Sequence, residues 1–323
     1  MKQKRILVLS NATIDFVQKV RRVPYSGETV VEEELPYAYT PGGNGALSAI
    51  TFARLGADCI FGAKLGRDAN ARRLLSMYQR EGIDIRYIAE DDHAPTGLAS
   101  VLAEENGKKR TIVYPGANMT MTADDADGCF TSYPDAVYLQ FGLPDEAVIE
   151  TSRRAERAGI PLFIDSTPAR LDFPLQELGK VEIFSPNEME IRVFTGITPS
   201  SEESCLRAAI KLASQIKAKY IVIKRGEHGS FIYDGREYYV VPAEPVTVVD
   251  PSAAGDVFTA VMTYVYLKNQ NIVSAVKYAT CAAALTVSRE GSVESIPTLA
   301  EIVAYAKQKT GNAPRTGTPR EET

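Results

Sequence analysis

Two aspartates, Asp250 and Asp256, bracket a run of small residues in "DPSAAGDVFTA" (250–260), and an apolar run follows at once. Small side chains at the start of a helix leave backbone N–H groups facing open space, a geometry that binds phosphate. Ala253, Ala254 and Gly255 would supply those amides, and Asp256 would fall in the first helical turn. The positive end of the helix dipole would keep that carboxylate ionised. A carboxylate beside a bound phosphate can take the proton of an attacking hydroxyl. Aspartate is also a common helix N-cap, and these residues alone leave base and cap equally open.

Three other stretches carry chemistry-bearing residues. In "TPGGNGALSA" (40–49), Gly42 and Gly43 precede a helix and suit close approach of backbone to a ligand, although paired glycines also make ordinary turns. No Gly-Lys-Ser/Thr follows, so this is not a Walker A loop, and the chain has no GxGxxG to support a dinucleotide site. In "SPNEMEIRVFTG" (185–196), Asn187 and Glu190 stand three apart at a helix start. They read as a helix cap, or as oxygen ligands facing a hydrated Mg²⁺, which needs few protein donors. Asp15, in "NATIDF", lies just past a buried strand, as a turn residue or an acceptor for substrate hydroxyls.

The elements that must hold these groups alternate between strand and helix. "RILVLS", "DCIFGAKLG", "AVYLQF", "PLFID" and "YIVIKRG" read as short buried strands. "GALSAITFARLG", "NARRLLSMYQREG", "EAVIETSRRAERAG" and "CLRAAIKLASQI" read as helices, three of them with a glycine at the stop. The pattern predicts an α/β fold: a mostly parallel central sheet flanked by helices. Two stretches break it. "TVVEEELPYAYT" (29–40) alternates like a one-sided strand, and 97–114 reads as a hairpin about Asn106-Gly107. Ligands in open α/β sheets bind at strand carboxyl ends, so these pieces predict a small β lid over the site. The tail 311–323, rich in Gly, Pro, Thr and charge, is expected to be disordered.

Composition narrows the class. The chain has 323 residues, 45% apolar and 24% charged, with a net charge of −5, which argues against a nucleic-acid-binding surface. No apolar run approaches the ~18 residues of a membrane span. A cytoplasmic protein is expected. Cys59, Cys129, Cys205 and Cys281 are scattered without a CxxC, and His93 and His228 are far apart. Free buried thiols are expected, and a zinc centre or a Ser–His–Asp triad lacks raw material.

"PGGNGALSAITFARLGADCIFGAKLG" (41–66) and "DPSAAGDVFTA" are similar to the two signatures of ribokinase-like sugar kinases, the phosphofructokinase-B (PfkB) family. The segments 94–118, 185–196 and 282–297 resemble ribokinase segments in the same order, so the resemblance runs from about residue 5 to 305. It implies one domain over residues 1–310, with lid segments at about 15–41 and 95–118, and transfer of the ATP γ-phosphate to an alcohol. By matching position, Asp256 is implied as catalytic base and Ala253, Ala254 and Gly255 as anion hole. Asp15, Gly42, Gly43 and Asn44 are implied on the acceptor side. Asn187 and Glu190 are implied on the phosphate and Mg²⁺ side, Glu190 through water. "KRGEHG" matches the nucleotide loop TLGxxG, implying Lys224, Gly226 and Gly229 near ATP, with Lys224 and Arg225 departing from its first two residues. A K⁺ loop is implied at Asp250, Ser252, Thr286, Arg289, Gly291 and Ser295, mostly through carbonyl oxygens. A homodimer through the lid is also implied.

Two departures concern the acceptor. Leu47 stands where ribokinases carry a sugar-binding Asn, and Gly142, in "YLQFGLP", stands where they carry a sugar-binding Glu. An apolar wall at Leu47 and free space at Gly142 predict an acceptor bulkier or less hydroxylated than ribose. The expected activity is therefore a kinase for a sugar or sugar-like molecule. A nucleoside kinase is the alternative; a ribose-specific enzyme and a non-catalytic sugar or nucleotide sensor come after it.

Overall fold

The structure is a computed structural model describing residues 3–105, 108–308 and 315–317. The chain opens with β1 (Arg5–Leu9), β2 (Thr13–Val20), β3 (Tyr37–Gly42) and α1 (Asn44–Arg54). It continues through β4 (Asp58–Gly66), α2 (Ala69–Arg80), β5 (Ile88–Asp91), β6 (Gly97–Glu104), β7 (Lys109–Tyr114) and the short α3 (Ala123–Gly128). Next come β8 (Ala136–Gln140), α4 (Asp145–Ala158), β9 (Leu162–Asp165), β10 (Val181–Ser185), α5 (Glu188–Thr195) and α6 (Glu202–Ala213). The last third holds β11 (Ala218–Lys224), β12 (Ser230–Tyr233), β13 (Tyr238–Val241), α7 (Ala254–Asn269), α8 (Ile272–Val287), α9 (Leu299–Gln308) and β14 (Arg315–Gly317).

Ten strands make the central sheet, in the order β14, β13, β12, β11, β10, β9, β8, β1, β4, β5. Neighbours run parallel from β11 to β5, and β12 to β14 add an antiparallel edge. Strands covered on both faces need apolar residues at every position, which is why "ILVL" and "AVYL" are continuous runs. Ile6 and Val8 enter the core under α1, α7 and α8, while Leu7 and Leu9 enter the core under α4 and α6. Strand order reverses at β1, which pairs β4 on one side and β8 on the other. A crevice opens at the carboxyl ends of strands at such a point.

A second sheet, ordered β3, β2, β6, β7, is the expected small lid. The β6–β7 hairpin forms as read, although Asn106 and Gly107 lie outside the described residues. The strand expected over 29–40 is shorter and later, at Tyr37–Gly42. Glu32, Glu33 and Glu34 repel one another, and Pro36 lacks an N–H, so pairing begins beyond the proline. Asp15 lies within β2 rather than in a turn. The tail expectation also needs correction at 315–317, which pair with β13 as β14; its other residues, 311–314 and 318–323, lie outside the described residues. All four cysteines are buried, and none is in a disulfide. Among the described residues, no helix is long and apolar enough to cross a membrane.

Candidate active site

α7 begins without a side-chain cap. Its N-cap, Ala253, takes φ 61°, a left-handed conformation that costs an L-residue about 1 kcal/mol. The helix start lines a cavity of about 840 Å³ through Ala253, Ala254, Gly255 and Asp256, and the Ala254 N–H makes only a long 3.4 Å bond, to Pro251 O. A Cβ on Gly255 would lie 4.0 Å from Lys224 Nζ, an ordinary contact, which sets that ammonium beside the helix start.

Asp256 is the third residue of α7 and is buried. Gln140 Nε2 donates to its Oδ1 at 3.0 Å, and Asn44 Nδ2 donates to its Oδ2 at 3.3 Å. Ser10 Oγ donates to Gln140 Oε1 at 2.7 Å, which turns the Gln140 amide nitrogen towards Asp256. Burial pushes the Asp256 carboxyl up to about 7, the Asp165 charge adds to the rise, and Gln140, Lys224 and Asn44 oppose it. Desolvation thus outweighs the helix dipole, and the expectation of a simply ionised carboxylate is corrected: Asp256 is poised near neutrality.

Three strand ends meet beside it. Gln140, Asp165 and Lys224 are the last residues of β8, β9 and β11. Lys224 Nζ donates to Asp165 Oδ1 at 2.6 Å and to Thr259 Oγ1 at 3.2 Å. Tyr138 OH donates to Asp165 Oδ2 at 3.4 Å. The sequence reading missed Gln140 and Asp165. Their signal was available: each is a polar residue closing an otherwise apolar strand, on the side where such sheets bind ligands.

Asn187 and Glu190 are brought together as a reciprocal capping box on α5. Glu190 Oε2 also accepts from Ser166 Oγ at 3.0 Å, while Oε1 has no hydrogen-bond partner among the described residues. Both residues line the cavity, as do Lys224, Gly226 and Gly229. Gly229 has φ 77°, and a Cβ there would meet Val241 O at 2.1 Å, so only glycine fits. Arg225 also lines the cavity, is buried, and has no partner for its Nε among the described residues.

Of the acceptor-side residues, Asn44 lines this cavity, whereas Asp15, Gly42 and Gly43 do not. Asp15 accepts from Thr13 Oγ1 at 2.7 Å, and burial pushes its carboxyl up. Its carboxylate fills the space beside Gly42, where a Cβ would come within 1.7 Å of Asp15 Oδ1. Gly43, at φ 81°, is the N-cap of α1 and packs against the backbone of Asn11 and Thr13. The two expected departures have packed surroundings. Leu47 is 8% exposed and joins the core cluster under α1. The space at Gly142 is taken by Asn11, whose side chain would meet a Cβ at 2.7 Å. A polar amide therefore stands where free space was expected.

The expected K⁺ loop is paired internally. Lys109 Nζ, from β7, donates to both Asp250 oxygens at 2.8 Å and to Ser252 Oγ at 2.9 Å. Against the opposing pull of burial, Lys109 and Ser252 hold Asp250 down at about 2. Thr286 Oγ1 donates to Ala282 O, Ser295 Oγ to Ser292 O, and Arg289 pairs with Glu301. Gly291 takes φ 87° against the Glu294 side chain. Lys19 of β2 reaches Glu290 at 2.5 Å, a second tie from the small sheet to these loops.

A bifunctional ribokinase/ribose-5-phosphate isomerase A from Fructilactobacillus sanfranciscensis is 32% identical over 308 residues, covering 94% of this chain and 56% of that protein. A Staphylococcus aureus ribokinase is 32% identical over 301 residues, 92% of this chain and 98% of the relative. The structure of Arabidopsis thaliana ribokinase with ribose and ATP superposes with a TM-score of 0.85 at 27% identity, over 94% of this chain and 99% of that one. Residues 3–299 match the pfkB family carbohydrate kinase as a single unbroken stretch. The chain belongs to that family, the ATP-dependent carbohydrate kinases.

Proposed function

We propose that the chain transfers the γ-phosphate of ATP to a hydroxyl of a sugar or sugar-like molecule, with Asp256 as general base and the amides of Ala253, Ala254 and Gly255 as anion hole. The observation that carries this reading is a buried carboxyl, raised by desolvation, in the first turn of an uncapped helix and in a cavity with Lys224. The acceptor oxygen attacks phosphorus as its proton passes to the Asp256 carboxylate, and the bridging oxygen leaves with ADP. Phosphoryl transfer needs positioning and charge neutralisation more than covalent help. The amides and the Lys224 ammonium meet the charge on the phosphoryl oxygens, and Gln140 and Asn44 fix the base.

The residues fit Mg²⁺. Glu190 offers one carboxylate oxygen free of hydrogen bonds, Asn187 stands beside it, and no cluster of three or more metal-binding side chains occurs among the described residues. That is the sparse protein set a hydrated Mg²⁺ takes. The ion would neutralise phosphate charge. K⁺ does not fit in the same way, because the Lys109 ammonium already occupies the Asp250 carboxylate and the Ser252 hydroxyl.

On the acceptor side, Asp15 with Asn11 and Asn44 gives polar groups for a hydroxylated molecule. The small sheet exposes Tyr37 (69%), Ile112 (61%) and Tyr114 (58%), a face suited to a second copy of the chain.

The test is an ADP-release screen with Mg²⁺ over ribose, deoxyribose, hexoses, sugar acids and nucleosides. Acceptor-dependent ADP release with at least one sugar is expected. Release independent of every acceptor, or with nucleosides alone, refutes the reading.

A further inference from the structure

Lys224 sits at the end of β11, and Asp165 at the end of β9, two strands away. Asp165 is buried and the Lys224 side chain is only 12% exposed, so the carboxylate is not tolerated there without the ammonium. The pair therefore has to be made, and its geometry decides where the ammonium stands. Asp165 Oδ1 holds Nζ at 2.6 Å from one side, and Thr259, on α7, takes a second contact at 3.2 Å. Thr259 Oγ1 in turn donates to Gly255 O at 3.1 Å, which ties this arrangement to the first turn of α7. Asp165 is itself held from behind by Tyr138 OH.

An ammonium carries three N–H donors. Asp165 and Thr259 account for two. The third has no partner among the described residues, and the ammonium lies beside the helix start at Gly255. A lysine free to move would lie along its carboxylate and be lost to the cavity. Held on two sides, it keeps one donor for whatever anion the α7 amides bind. A flexible lysine would also pay rotamer entropy on meeting that anion, and this one has already been ordered by its pair.

We propose that Asp165 is a positioning residue: with Thr259 it locks the Lys224 ammonium beside the start of α7, where its third N–H contacts the terminal phosphate of the bound nucleoside triphosphate. The inference rests on the phosphotransfer reading above, and it deepens that reading by assigning recognition of the terminal phosphate over a diphosphate. The other carboxylates near Lys224, Asp256 and Glu190, are engaged elsewhere: Asp256 by Gln140 and Asn44, and Glu190 by the α5 cap and Ser166. Only Asp165 is bonded to the ammonium.

The experiment is calorimetric titration of the full chain with ADP and with a non-hydrolysable ATP analogue, both with Mg²⁺ and without any acceptor. Lys224→Met leaves Asp165 buried and unpaired, a change that can prevent folding. The double variant Lys224→Met/Asp165→Asn removes both charges together and avoids it. In the double variant, affinity for the ATP analogue should fall by about tenfold or more, the loss expected of one charge-assisted hydrogen bond, with ADP affinity changed by no more than about twofold. In Asp165→Asn, with Lys224 present but released, discrimination between the two nucleotides should fall in the same direction. A purely structural pair would change both affinities alike, and that result overturns the proposal, as does unchanged discrimination in either variant. Failure of the unaltered chain to bind either nucleotide overturns the phosphotransfer reading itself.

Discussion

Replacing Asp256 with asparagine should make the protein both inactive and more stable. A carboxyl whose titration rises from 3.8 to about 7 on folding disfavours its own ionised form in the native state. At about 1.36 kcal/mol per pH unit, that rise costs the native state about 4 kcal/mol once the group is fully ionised. The sign follows from the raised value. Below pH 3.8 the carboxyl is neutral in both states and costs nothing; the penalty grows as pH rises and is complete above about pH 7. Asparagine keeps the shape and removes the charge. It presents an N–H₂ where the carboxylate only accepted, so one of Gln140 and Asn44 must turn its amide, at about 1–2 kcal/mol. A net gain of about 2–3 kcal/mol remains at about pH 8.5, vanishing or reversing near about pH 4. Urea unfolding of both proteins at the two pH values measures it. Acceptor-dependent turnover, assayed in parallel, should fall by about 10²–10⁴ as for loss of a general base. An Asp256→Asn protein that is less stable at both pH values would refute the electrostatic argument. One that kept more than half its turnover would refute the role of base.

The unaltered enzyme should lose kcat/KM as pH falls through about 7, because protonated Asp256 cannot accept a proton; a limb near pH 4 would show an unperturbed carboxyl. Exchanging K⁺ for Na⁺ should leave its rate unchanged, whereas Lys109→Met should lower the rate and make it K⁺-dependent; strong K⁺ activation before the mutation would show that Lys109 does not fill the cation's place. Gly42→Ala, whose new methyl would fall on the Asp15 carboxylate, should raise KM for the acceptor several-fold while KM for ATP stays constant; equal change in both would place Asp15 outside the acceptor site.

The alternation of strands and helices was legible because buried parallel strands and amphipathic helices have different hydrophobic periods. The small-residue runs at the starts of α1 and α7 were legible because a helix start with little side chain lets a ligand approach the backbone closely. Partnership across the sheet was not. Lys224 was read only as a lysine near ATP that departs from the loop motif, since Asp165 lies 59 residues away and nothing local links β9 to β11. Lys109 and Asp250, 141 residues apart, were hidden in the same way, so the ammonium that meets the Asp250 carboxylate could not be read from the loop. Gly142 looked empty because Asn11, which covers it, belongs to the loop after a different strand. The propensity of a single segment also failed at 29–36, where alternation suggested a strand but consecutive glutamates and Pro36 prevented pairing.

The spread of the site along the chain bears on how the enzyme is made. Synthesis delivers Asp15, Asn44, Gln140 and Asp165 first, then Lys224, and Asp256 only with α7. α7 and α8 supply much of one face of the core against α1, so this layer cannot close before they emerge from the ribosome. A chain that stops short of residue 250 would have Lys224 and Asp165 but neither Thr259 to hold the ammonium nor α7 with Asp256. On the proposed reading of Asp256 as base, such a chain would be catalytically silent.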